Sequence, residues 1–394
     1  MKQKVSVDKL LHTMDHEGCY LTSLTLTPEE DRILKTIRKE IRSALRAGFT
    51  GWRTSPPDII PPEYRDIVKR LKPKFLTQGS YAYETINRPA CAPPQQIDLD
   101  YGVYFPMSFV EGSPVMAKNI LLQMVDEILM GYAQSKGYTY SRKATCGRIE
   151  VGNGHHIHVD IPVYAIPDNR HEEIVESMEA RAVFGAVDLS EPHYRLNPDE
   201  VYLALRTEEH WTISDPMEIY DWFKDWAKHF QRLRRICRYV KGWRDFQWKK
   251  GGPSSIALMA AVVETFTEQI NATGENFTSD SEALLAVVRA LPDQLSGNII
   301  NPANDKNELL FPRGHSQPEI DEIVRHAERF KINIEQALCG KNAPALVITF
   351  LGTAFGPRIP NRPEWVEQLP EDTVSVVTST SSTLPAAPTN YRSG

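Results

Sequence analysis

The sequence predicts an α+β lobe followed by a helical lobe, with a cleft between them, on three observations. Between residues 78 and 164, runs such as "DLDYGVYF", "GRIEV" and "HIHVDIPVY" alternate apolar and polar residues as strands do. From Ser214 to about Glu367 the apolar residues recur with helical period instead. Beyond Pro370, "EDTVSVVTSTSSTLPAAPTNYRSG" is rich in Ser, Thr and Pro and reads as a disordered tail. The expected organisation is a first lobe over 1–215, a helical lobe over 216–370 and a tail over 371–394, and the cleft is the default site.

Taken in order, the first element is a helix over "TPEEDRILKTIRKEIRSALRAGF". Thr27 stands at its cap, Pro28 in its first turn, and Glu30 is placed to close a capping box. Ile33, Ile37, Ile41 and Leu45 give it an apolar stripe, while Arg38, Arg42 and Arg46 form a second stripe that reads as a solvated face. "TSPPDIIPPEY" ends that helix. Asn153-Gly154 marks a hairpin between Arg148–Val151 and His156–Tyr164. On the second of these strands His156, His158 and Asp160 share one face, and Ile157, Val159 and Ile161 share the other. With the apolar side on the core, Asp160 points the opposite way, towards Asp98 and Asp100. Zinc on the two histidines and Asp160 is disfavoured, because three ligands on one strand make poor tetrahedral geometry. The histidines read as ordinary polar residues beside a functional aspartate. "SDPMEIYDWFKDWAKHFQRLRRICRYVKGWRDFQW" follows the helical period throughout, with Asp215 as cap and Glu218 closing a box. "GGPSSIALMAAVVETF" opens a further helix with Ser254 and Ser255 at its positive end.

Composition bounds the partners. At 394 residues, 41% hydrophobic and 24% charged, the chain is globular and can bury two cores. A net charge of −6 argues against a general nucleic-acid-coating surface. Cys19, Cys91, Cys146, Cys237 and Cys339 are scattered and odd in number, which fits neither a disulfide framework nor a zinc knuckle and points to a reducing cytoplasm. No run of 18 apolar residues suggests a membrane span, and the first residues lack a signal peptide's apolar stretch. The expectation is a cytoplasmic protein with no membrane attachment.

The chemistry sits in "QGSYAYETINRPACAPPQQIDLDYGVYF". Asp98 and Asp100 lie two apart on a strand, so both carboxylates leave one face and repel each other unless a cation or proton lies between them. With Asp160 they can hold two Mg²⁺ ions, Mn²⁺ being a substitute, that orient a triphosphate and activate a hydroxyl. Gly79 and Ser80, at a strand-to-helix junction, supply backbone N–H groups and a hydroxyl for β/γ-phosphates. A Gly-Ser turn, then D-x-D, then a third aspartate on a later strand is the nucleotidyltransferase set. A silent binding module has no use for three converging carboxylates.

The segments "TQGSYAY", "DLDYGVY", "CGRIEV", "HVDIPVYAIP", "ISDP", "KGWRDFQW" and "GGPSSI" together closely resemble the bacterial cyclic GMP-AMP synthase branch of the cGAS/DncV-like nucleotidyltransferases. The resemblance runs from about Arg38 to Phe311 and implies a polymerase-β-like lobe with a mixed sheet, a helical lobe, and synthesis of a cyclic dinucleotide from two nucleoside triphosphates. It further implies ATP and GTP as substrates, 3′,3′-cyclic GMP-AMP as product, and a bacterial anti-phage alarm that activates a downstream effector. Another cyclic di- or trinucleotide, or transfer to a separate acceptor, is the alternative. By the same resemblance Asp98, Asp100 and Asp160 form the metal triad. Gln78, Gly79, Ser80 and Tyr83 form the phosphate and nucleotide turn, and Arg148 stands near the acceptor nucleotide. Ser214, Lys241 and Ser255 hold the donor triphosphate or a base. In "NPANDKNELLF", ungapped counting from Pro302 puts Lys306 at the base-reading position, and a one-residue gap restores the acidic Asp305. The end "TNYRSG" resembles tails that a ubiquitin-transfer-like (E1/E2-like) enzyme joins to targets, which makes Gly394 the expected point of conjugation.

Overall fold

A computed structural model describes residues 2–13, 18–55, 60–152, 154–172 and 197–370. The chain starts with β1 (Val5–Ser6), α1 (Asp8–Leu11) and α2 (Tyr20–Leu24), then α3 (Pro28–Thr54) and α4 (Pro62–Val68). Strand β2 (Lys74–Gln78) runs straight into the single turn α5 (Gly79–Ala82), and β3 (Ile97–Pro106) follows. After α6 (Pro114–Lys136) come β4 (Thr139–Arg142), β5 (Gly147–Val151), β6 (Ile157–Ile161), β7 (Val163–Ile166), β8 (Tyr202–Leu203) and β9 (Thr212–Ile213). The helical part comprises α7 (Pro216–His229), α8 (Leu233–Gln247), α9 (Ser255–Thr273) and α10 (Asp280–Ser296). A small hairpin of β10 (Ile299–Ile300) and β11 (Leu309–Phe311), then α11 (Gln317–Cys339), α12 (Pro344–Phe355) and β12 (Glu367–Gln368) complete it.

Helix α3 begins as its sequence dictates. Thr27 Oγ1 accepts from the Glu30 amide at 3.1 Å while Glu30 Oε2 accepts from the Thr27 amide at 2.7 Å. Its buried stripe is Leu34, Ile37, Ile41, Leu45 and Phe49. Helix α6, which the strand and helix signals above pass over, lies beside it in the same core and ends where Gly137 takes φ 70°.

These two helices cover one face of a mixed sheet ordered β4-β5-β6-β3-β7-β8-β9, with β2 also pairing antiparallel to β3. Along β3 the odd-numbered residues Ile97, Leu99, Tyr101, Val103 and Phe105 join the core under α3 and α6. The even-numbered residues face the other way. There Tyr104, with Leu76 and Tyr164, is covered by the core of the helical lobe, so the second half of β3 is buried on both faces. The first half presents Asp98 and Asp100, half-buried, on that second face. The alternation of burial thus leaves the carboxylates at the end of the strand that the helices do not cover.

Three sequence expectations are corrected. Residues 216–248 are two helices rather than one, because Phe230 leaves helical geometry (φ −115°, ψ 90°) to stack on Trp226 at 5.4 Å and meet Phe266 at 5.3 Å. Asp215 does cap α7, accepting from the Met217 amide at 2.8 Å, yet Glu218 closes no box; its Oε2 accepts from Asn304 Nδ2 at 3.0 Å. The first residues belong with the helical lobe and not, as the 1–215 division has it, with the sheet. Val5 pairs with Gln368 across β1 and β12, and Val7, Leu10, Leu11, Tyr20 and Leu24 are buried in the helical core.

Candidate active site

Strand register brings the predicted carboxylates together. Asp100 of β3 stands opposite Gln78 of β2 on one side and Asp160 of β6 on the other, and Asp160 stands opposite Arg148 of β5. Residues paired across a sheet point to the same face, so Gln78, Asp100, Asp160 and Arg148 make one row. Two residues along, Asp98 of β3 stands opposite His158 of β6.

Backbone geometry then locks the Gly-Ser turn onto that row. Gly79 has φ +62°, and a Cβ there would lie 1.9 Å from Asp100 Oδ2, so only glycine lets β2 turn into α5 against the carboxylate. A Cβ on Gly102 would lie 2.2 Å from Gln78 Nε2; its absence makes room for the Gln78 amide, which donates to Tyr104 Oη at 2.6 Å. Tyr104 itself stacks on Tyr164 at 4.8 Å.

Electrostatically the row is strained in the way paired carboxylates predict. Asp100 is pushed up to about 7, first by loss of hydration on burial and then by the negative charges of Asp98 and Asp160. Arg148 answers part of that charge, donating to Asp160 through Nε–Oδ1 and Nη2–Oδ2, both at 2.6 Å. Asp98 Oδ1 and His158 Nε2 lie 2.8 Å apart, both buried, and neither makes a hydrogen bond. Three aspartate carboxylates, one oxygen of which has no hydrogen-bond donor, offer the oxygen ligands that hard divalent cations take.

The sequence profile of the cyclic GMP-AMP synthase DncV-like nucleotidyltransferase domain matches residues 73–164, and that of the cyclic GMP-AMP synthase C-terminal domain matches residues 230–368. A cyclic GMP-AMP synthase of Escherichia coli (strain TW11681) is 34% identical over 307 residues, 74% of this chain and 69% of its own. The chain belongs to the DncV-like cyclic GMP-AMP synthase family. A second such synthase, of Vibrio cholerae, is 34% identical over 314 residues, 75% of this chain and 70% of its own. The crystal structure of Vibrio cholerae DncV with the linear intermediate 5′-pppA(3′,5′)pG superposes with a TM-score of 0.78 at 28% identity, over 94% of this chain and 100% of that one. DncV in complex with GTP and 5MTHFGLU2 gives 0.79 at 28% identity, over 93% and 100%. The fold is therefore that of a polymerase-β-like nucleotidyltransferase, and the protein is a cyclic dinucleotide synthase of the DncV-like family.

The other residues expected at a DncV-like site are distributed more widely. Ser80 lies half-buried in the α5 turn beside the carboxylates. Tyr83 is buried between Tyr220 and Phe223, with ring centroids 6.1 Å from each, so it packs the turn against α7. Lys241 is 4% exposed and donates through Nζ to the Thr85 carbonyl at 2.6 Å; from α8 it braces the chain just after the turn. Burial lowers it to about 8. Ser255 Oγ accepts from Arg244 Nη1 at 2.8 Å, and Ser254 rather than Ser255 is the cap, accepting from the Ala257 amide at 3.1 Å. Ser214 joins β9 to α7, its amide donating to the Val201 carbonyl at 3.0 Å. Asp305 is exposed on the β10–β11 loop, where Lys306 Nζ lies 3.0 Å from Asp199 Oδ1. In the arginine stripe, Arg38 donates to Thr77 Oγ1 at 3.0 Å, one residue before Gln78. Asn153, the tail 371–394 and with it Gly394 lie outside the described residues.

His158 is the residue that sequence reasoning set aside. Its signal was present, two residues before Asp160 on the same face. The partner that gives it meaning, Asp98, is sixty residues away and needs the parallel register of β3 and β6 to reach it.

Proposed function

We propose that this synthase makes 3′,3′-cyclic GMP-AMP from ATP and GTP in a Mg²⁺-dependent reaction, as an alarm that activates a downstream effector in anti-phage defence. The observation that carries the metal chemistry is that Asp98, Asp100 and Asp160 converge on one face of two paired strands, with Gly79 pressed against Asp100. Divalent cations held by these three carboxylates, Mg²⁺ or in its place Mn²⁺, would neutralise triphosphate charge and lower the pKa of the attacking hydroxyl.

The chain's own groups do the rest. The Gly79-Ser80 turn lies against the carboxylate row and sets the triphosphate over it. Asp160 takes the proton of the acceptor's 3′-hydroxyl, and the oxygen attacks the α-phosphorus of the donor as the bond to pyrophosphate breaks. Before substrate arrives, the Arg148 fork holds the Asp160 carboxylate in orientation. A second transfer of the same kind closes the ring. Asp305, exposed beside the committed Lys306–Asp199 pair, accepts from guanine N1–H and N2–H.

Incubation with ATP, GTP and Mg²⁺ and no other acceptor, read by mass spectrometry and phosphatase treatment, tests this. A phosphatase-resistant product with the mass of cyclic GMP-AMP is expected. A different cyclic mass would refute the base assignment, and labelled nucleotide transferred only to an added acceptor would refute cyclisation. For the guanine reader, Asp305→Asn should lower the preference for GTP by about 1–3 kcal/mol while Lys306→Ala leaves it unchanged; the reverse pattern would reassign the role to Lys306.

A further inference from the structure

We propose that His158 Nε2 is a direct ligand of the divalent cation held by Asp98 and Asp160, which gives the centre a nitrogen donor and a preference for first-row transition ions over Mg²⁺. This rests on the reading above that Asp98 and Asp160 hold a cation.

His158 is 8% exposed, so its ring atoms have little access to water. Its Nδ1 lies 2.8 Å from Gln96 Oε1. An amide oxygen can only accept, so Nδ1 carries the proton and donates to it. With Nδ1 engaged by Gln96, Nε2 is the ring nitrogen left to bind a cation, and it faces Asp98 Oδ1 at 2.8 Å. A carboxylate oxygen is an acceptor, as is Nε2 without a proton. Two acceptors at this distance repel unless a positive charge lies between or beside them, and both atoms are buried with no hydrogen bond to relieve them.

The surroundings match what a metal-binding histidine needs. Its outer nitrogen is tied to an oxygen that fixes both tautomer and ring plane. One ligand atom each from Asp98, His158 and Asp160 lies within 4.8 Å of the other two, with the ligands drawn from β3 and β6 rather than from one strand. That spread over two strands removes the geometric objection to a histidine ligand on β6. His156 plays no part: with φ 41° it sits in the β5–β6 connection, outside the strand. Imidazole nitrogen discriminates in favour of transition ions, whereas carboxylates alone suit Mg²⁺.

The test uses the full-length protein without nucleotide and Mn²⁺ as the paramagnetic probe, read by pulsed electron paramagnetic resonance and by titration calorimetry. The wild type should show ¹⁴N coupling to bound Mn²⁺, and the coupling should change to that of ¹⁵N when the protein is grown with ¹⁵N-histidine. His158→Gln should lose it and bind Mn²⁺ about tenfold more weakly, with Mg²⁺ affinity changed far less. Mn²⁺ that binds in an Asp98-dependent manner but shows no histidine nitrogen coupling would overturn the proposal and leave the carboxylate site standing. Absence of Asp98-dependent Mn²⁺ binding would overturn both. The isotope comparison is made on the wild type and does not depend on the folding of a variant.

Discussion

At position 79 the backbone takes φ +62°, and a methyl group there would lie 1.9 Å from Asp100 Oδ2. Two costs therefore fall on Gly79→Ala. The left-handed backbone costs about 1–2 kcal/mol for a residue with a Cβ, and the clash must push α5 or Asp100 aside. Since a displacement of about 1 Å at a reacting centre lowers rates on the order of 10²-fold, product formation should fall by at least that much. Urea unfolding should show a loss of at least the backbone cost, and a Gly79→Ala protein of normal rate would mean that the turn does not position the substrate. In the sequence, the Gly79-Ser80 junction is expected to supply backbone N–H groups and a hydroxyl to phosphates. The tighter constraint, contact with Asp100, depends on β2 pairing with β3 at Gln78 and Asp100 and is invisible along the chain. The same holds for the Arg148–Asp160 fork, whose partners are cross-strand neighbours.

Element by element, legibility followed local chemistry. The capping box of α3, the Asp215 cap of α7 and the two faces of β6 were readable because each rests on residues a few positions apart. The break after His229 was not, because no Gly or Pro marks it; Phe230 is drawn out by Trp226 and Phe266, and Phe266 lies on another helix. The α7 cap offers a pH test away from the carboxylate row. Burial raises Asp215 to about 7, well above an unfolded carboxylate at about 4. The folded state thus holds a proton that the unfolded chain has released, and the stability this confers is present below about pH 4 and lost as pH rises to about 7. Asp215→Asn keeps a cap acceptor and has no such proton. Relative to wild type, its stability in urea titrations should rise by on the order of 2–4 kcal/mol between about pH 4 and pH 8. Parallel pH profiles for the two proteins would show that the Asp215 carboxyl is not desolvated.

Across the whole molecule the second face of the sheet is built into the core of the helical lobe, while its first face keeps a separate core under α3 and α6. Leu76, Tyr104, Tyr164 and Leu203 from the sheet are buried with Phe223, Trp243 and Leu258 of the helices, and Lys241 of α8 bonds the carbonyl of Thr85. The N-terminal residues close the same unit, since Val5 and Ser6 pair with β12. Scanning calorimetry should accordingly give a single cooperative transition; two resolved transitions would mean that the lobes fold independently. The order of the lobes was legible from the change of hydrophobic period, whereas the return of the N-terminus to the helical lobe was not, because a two-residue strand has no period to read. The central claim concerns the carboxylate row, and the double variant Asp98→Ala/Asp100→Ala tests it most directly. With ATP, GTP and Mg²⁺ its cyclic product should fall to background, while its thermal midpoint stays level or rises because the buried repulsion around Asp100 is gone. A folded double variant that still forms the cyclic product would contradict the account.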